Sequence, residues 1–96
     1  MRTLDEVRSH RKAILQLAEK YGSRRVRIFG SVVRHEATLE SDVDILVDFE
    51  PGRSLLDQVG FEQDLKALLG CNVEVLAEGG ISPYLESRIL QEAVPL

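Results

Sequence analysis

The sequence predicts an α/β (α+β) domain, a small mixed β-sheet with helices in the order αβαβαβα, over residues 1–96 as a single domain. Three observations predict it. Apolar residues switch along the chain between the 3.6-residue spacing of amphipathic helices and the two-residue alternation of strands. The switches fall at breakers: Gly22, Gly30-Ser31, Pro51-Gly52, Gly70 and Gly79-Gly80. A chain of 96 residues also bounds the answer to one modest core, with little room for a separate substrate-binding domain.

Residues 3–21 read as one amphipathic helix. Leu4, Val7, Ile14, Leu17, Ala18 and Tyr21 recur at helical spacing, Thr3 and Glu6 resemble a capping box, and Gly22 stands where a helix stops. Arg8, Arg11, Lys12, Arg24, Arg25 and Arg27 form a basic cluster, but interspersed acids and few aromatics make it a solvated face. Arg27 alternates toward the side of the Gly30-Ser31 turn. Val26, Ile28 and Phe29 form the first strand, followed by a short helix that Ser31 caps. His35 has no partner spaced for a metal or a nucleophilic triad, and reads as an exposed loop histidine.

A second strand follows the loop at 38–41, whose Glu40 and Ser41 are placed near the edge of the acidic pair described below. Glu50-Pro51-Gly52 ends that strand as a turn. Ser54 and Asp57 form a capping box for a helix to Leu69, with Leu55, Leu56, Val59, Leu65, Leu68 and Leu69 as its buried side and Phe61 off the stripe. Residues 73–76 make a short third strand. Gly79-Gly80 reads as a hinge, and Ser82-Pro83 start a last helix to about Ala93 with Tyr84, Leu85, Ile89, Leu90 and Ala93 as its apolar side.

Composition excludes several classes. A net charge of −4 argues against electrostatic binding of nucleic acid. No apolar run is long enough to span a membrane and no signal-peptide pattern opens the chain, so a cytoplasmic protein is expected. A single cysteine, Cys71, excludes an intramolecular disulfide and reads as a small packing residue.

The chemistry concentrates between Val26 and Phe49. Asp42 and Asp44 lie two apart where Val43, Ile45 and Val47 alternate with them, so both carboxylates share one face of a strand, roughly 6.5–7 Å apart, while the β-branched residues face a core. Two readings stand: the polar face of an edge strand, or a site for a hard divalent cation, which takes oxygen ligands. Gly30-Ser31 is by itself a turn. Glycine also lets a backbone approach a phosphate closely, and N–H groups at a serine-capped turn accept an anion. If the end of the first strand lies beside the start of the second, as in an antiparallel pair, this turn faces the two acids and fits a metal-bound nucleoside triphosphate.

A strand ending in G-S, ten residues, then D-x-D at the next strand resembles the minimal nucleotidyltransferase (MNT) family of the DNA polymerase β-like superfamily. The resemblance covers nearly the whole chain and implies the nucleotidyltransferase fold. It implies that Asp42 and Asp44 hold two Mg²⁺ ions, that Gly30 and Ser31 seat the nucleotide phosphates, and that Arg34 matches an arginine often found three residues after the serine. It places the third, metal-binding and catalytic carboxylate at Glu74, where the family usually has aspartate; the other reading of Glu74 is a surface residue on an edge strand. Val32 and His35 stand where family members frequently carry arginine and glycine.

The function implied is Mg-dependent transfer of AMP from ATP to a hydroxyl. In this family the usual partner is a HEPN-domain toxin, in some cases modified on a tyrosine, so an antitoxin acting in a hetero-oligomer is expected. The competing classes are a non-catalytic antitoxin that neutralises its partner by complex formation alone, and a subunit of a small-molecule nucleotidyltransferase. Haloacid-dehalogenase-like phosphatases and nucleotide-sugar glycosyltransferases also use D-x-D, but in much longer chains.

Overall fold

The computed structural model describes residues 3–96. Helices α1 (Leu4–Arg8) and α2 (Arg11–Lys20) precede strand β1 (Ser23–Phe29); β2 (Val43–Phe49), α3 (Leu55–Leu69), β3 (Val73–Ala77), α4 (Pro83–Glu92) and β4 (Val94–Pro95) follow. The four strands form one sheet in the order β3-β2-β1-β4. β1 runs antiparallel to both β2 and β4, and β3 lies parallel to β2.

Strand alternation divides the sheet into two faces. Val43, Ile45 and Val47 point to one side, where they are fully buried with Val7, Ile14, Phe61 and Leu65 from the helices. The other side carries Phe29, Leu46 and Ile89 as a second, smaller cluster. The acidic face of β2 is therefore covered at Leu46 by α4.

The N-terminal helix is interrupted. The Ser9 hydroxyl donates to the Glu6 carbonyl at 2.6 Å, and the backbone turns at Ser9 and His10 before α2 begins. Such a local side-chain bond competes with helix continuation. Thr3 caps α1 as expected, accepting from the Glu6 N–H at 3.1 Å.

Two further corrections concern which faces are buried. Phe61 is fully buried, whereas Leu55, Leu56 and Val59 are exposed. The facing side of α3 is set by Tyr21, whose ring packs on Phe61 at 5.9 Å between centroids and passes over Gly60. It is set as well by Gln58 and Glu62, which bond the Val75 carbonyl and N–H at 2.9 and 3.0 Å and so cover the open edge of β3. On α4 only Ile89 is buried, and Tyr84, Leu85 and Leu90 are exposed. Gly79 and Gly80 belong to a 3-10 turn, Glu78–Gly80, and the Ser82 side chain makes no cap bond although Pro83 opens the helix. The Ser54–Asp57 capping box and the left-handed Gly70 cap of α3 are present.

Two features were absent from the predicted order. β4 pairs with β1, and Arg8 donates to the carbonyls of Pro95 at 2.7 Å and Leu96 at 3.1 Å. Arg8, exposed as expected of a solvated face, thus also clamps the C-terminal strand. β1 also carries a bulge between Arg24 and Arg27, with Arg25 at φ 53°. The extra residue puts Arg24 opposite Asp48 and Arg27 opposite Leu46, both on the acidic face despite an odd spacing.

Candidate active site

The antiparallel register places Phe29, the last residue of β1, opposite Asp44. The chain then turns at Gly30, whose φ of 82° suits glycine, and a Cβ there would collide with Asp44 Oδ2. The turn is thus pressed against the carboxylate. The expected short helix is instead a run of turns: the N–H groups of Val33 and Arg34 both bond the Gly30 carbonyl, at 3.1 and 3.2 Å, and His35 ends the run at φ 61°. Val32 is fully buried in the main core, so this position packs the fold and faces no ligand.

The parallel register of β2 and β3 sets Asp44 beside Glu74. Asp42, just before β2, is exposed. Burial foremost, then the Glu74 and Asp42 carboxylates, pushes Asp44 up to about 6, while Arg34 pulls the other way. The fold therefore sets Asp44 near both Glu74 and Asp42, and Gly30 and Arg34 line a cleft with Asp44. Among the described residues no three His, Cys, Asp or Glu side chains form a ready-made metal cage. The donor set still suits a hard cation: all-oxygen ligands, with the half-buried Asp44 repelled by its acidic neighbours.

The Gly30 N–H donates to Glu92 Oε2 at 2.8 Å, and Arg34 donates to Glu92 Oε1 at 2.6 Å and to Glu36 at 3.2 Å. Arg34 and the Gly30 N–H together hold the Glu92 carboxyl below its usual range against the opposing effect of burial. Glu92 was not among the residues singled out from the sequence. It is an acid on the last turn of an amphipathic helix, which gives no local signal. Arg27 does face this side of the sheet, but is paired with Glu78 at 2.8 Å. His35 is exposed and contributes its backbone conformation. Glu40 and Ser41 lie in the loop before β2, where Ser41 accepts from the Thr38 N–H at 2.8 Å.

Residues 8–96 match the family model of the nucleotidyltransferase domain, and the chain belongs to that family. It is a nucleotidyltransferase of the minimal kind. Protein adenylyltransferase MntA of Thermococcus cleftensis is 42% identical over 98 residues, covering 98% of this chain and 96% of the relative. The solved structure of a “putative minimal nucleotidyltransferase” superposes with a TM-score of 0.86 at 46% identity, covering 98% of this chain and 96% of that one. A toxin–antitoxin structure with AMP-PNP shares the fold, with a TM-score of 0.75 at 19% identity, covering 88% of this chain and 69% of that one. Among the described residues no helix is long and apolar enough to cross a membrane.

Proposed function

We propose that the chain transfers AMP from ATP to a hydroxyl, most simply a tyrosine, of a HEPN-domain toxin with which it forms a hetero-oligomer, and that it acts as the antitoxin. One observation carries the reading: the Gly30 turn is pressed onto Asp44, and Asp44 lies beside Glu74. A phosphate approaching the turn meets the Asp44 carboxylate, with Glu74 as its register neighbour and Asp42 two residues before it on the chain. The name of the Thermococcus cleftensis relative supports protein adenylylation, and the AMP-PNP of the distant toxin–antitoxin structure supports an adenine nucleotide and a toxin partner.

Asp42 and Asp44, with Glu74, would hold two Mg²⁺ ions, which supply charge neutralisation for the phosphates and activation of the acceptor hydroxyl. Gly30 and Ser31 would seat the β- and γ-phosphates by backbone N–H and hydroxyl donation, and Arg34 would add a charge-assisted bond. Glu74, on the exposed end of the acidic face, would complete the metal site or accept the hydroxyl proton.

Incubation of the protein with Mg²⁺, ATP and a HEPN-domain partner, followed by intact-mass measurement of both chains, tests this. AMP added to the partner by the unmutated protein and not by Asp42→Asn/Asp44→Asn is expected. A stable, neutralised complex without added mass would instead favour an antitoxin that acts by binding alone.

A further inference from the structure

The donors that the proposed reaction would offer to phosphate already hold an anion. The Glu92 carboxylate bridges the Gly30 N–H and the Arg34 guanidinium through its two oxygens, at 2.8 and 2.6 Å, with its side chain only 14% exposed. A carboxylate spanning a glycine-turn N–H and a guanidinium imitates two phosphate oxygens in shape and charge. The Gly30 N–H has a single proton to give. A phosphate and Glu92 therefore compete for it.

α4 also brings a second cation to the place. Gly30, Arg34, Asp44, Arg88 and Glu92 line one cleft of about 190 Å³. Arg88 lies one helical turn before Glu92, and among the described residues it joins none of the ion pairs. Val32 is sunk in the core. The cleft thus recruits its additional positive charge from α4 and not from the turn after β1.

Resting on the nucleotidyl-transfer reading, we propose that Glu92 is a placeholder anion in the phosphate seat, displaced when the terminal phosphates of a nucleotide enter and are held by Gly30, Arg34 and Arg88. The placeholder keeps the Gly30 N–H and Arg34 satisfied until a nucleotide enters and lowers affinity for weak anions. A triphosphate carries enough charge to replace it.

Equilibrium binding of Mg·ATP and of inorganic tripolyphosphate to the full chain tests this, with melting curves to show folding. Glu92→Gln keeps the size and an acceptor but removes the charge, and should tighten both ligands about tenfold. Arg88→Ala, made in the Glu92→Gln background, should weaken both several-fold, with Arg88→Lys restoring part of the loss. Equal or weaker binding by Glu92→Gln, or no effect of Arg88→Ala, would overturn the proposal. Should Glu92→Gln not fold, the unmutated protein decides: on adding tripolyphosphate, the Gly30 amide and the Glu92 side-chain carboxyl NMR resonances should move together, and a Gly30 shift with a stationary Glu92 carboxyl would overturn it. Binding of neither ligand to any variant would remove the nucleotidyl-transfer reading along with the placeholder. Binding that ignores Glu92 would remove the placeholder alone.

Discussion

Asp44 and Glu74 are register partners on adjacent parallel strands, two acids side by side, the first half-buried and the second exposed. Asp44 is consequently raised from 3.8 to about 6. Folding thus favours its protonated form. The resulting destabilisation is absent below the unfolded value, grows as pH rises through the folded one, and is complete above it. The full linkage would be about 3 kcal/mol, which solvent screening at this part-exposed site reduces to about 1–2 kcal/mol. Asp44→Asn should therefore stabilise the metal-free protein at pH 7.5 and give little gain at pH 4, while abolishing transfer. Urea unfolding of both proteins at the two pH values checks this, and an equal difference at both would contradict it.

Gly30 has neither room nor backbone freedom for a side chain. Gly30→Ala combines a φ of 82° with a collision at Asp44, and should cost about 1–3 kcal/mol of stability. It should also displace Asp44 and so reduce transfer more than it reduces folding. A melting temperature and turnover both unchanged would show that the turn is not held against the acid.

His35 occupies left-handed backbone at φ 61° in an exposed turn. Relief of that conformation outweighs glycine's added freedom in the unfolded chain, so His35→Gly should stabilise by a few tenths to about 1 kcal/mol with transfer intact. His35→Ala should give no such gain. Denaturant midpoints of the two variants separate conformational relief from loss of the imidazole.

Arg8 fastens the β4 backbone through two charge-assisted bonds. Arg8→Ala should cost about 1–3 kcal/mol. It should raise hydrogen exchange at the Leu96 amide, which bonds the Val26 carbonyl at 3.1 Å. Unchanged exchange there would mean that β4 holds without the clamp.

The first three strands and the Thr3 and Ser54 caps were legible because their signals are local: the alternation around Asp44, the Ser54–Asp57 box and the Gly70 stop require only neighbours in sequence. The juxtaposition of Gly30 with Asp44 was legible as well, since an antiparallel return after ten residues leaves few alternatives. Hidden were features decided by distant partners. Phe61 is buried because Tyr21 crosses Gly60, and Arg8 is a clamp because β4 returns to β1. Glu92 reaches the site only through the packing of α4 over Leu46 and Phe29. The bulge at Arg25 has no composition signal, since arginine occupies a position that usually advertises itself with glycine.

The central claim is that one small cleft holds cation and nucleotide together. Its most direct test is a crystal structure with Mn²⁺ and a non-hydrolysable ATP analogue, read by anomalous scattering. The account predicts manganese peaks bridging Asp42 and Asp44 within reach of Glu74, and phosphate density on Gly30, Ser31 and Arg34. A bound nucleotide elsewhere, or manganese absent from the Asp42–Asp44 pair at saturating concentration, would contradict it.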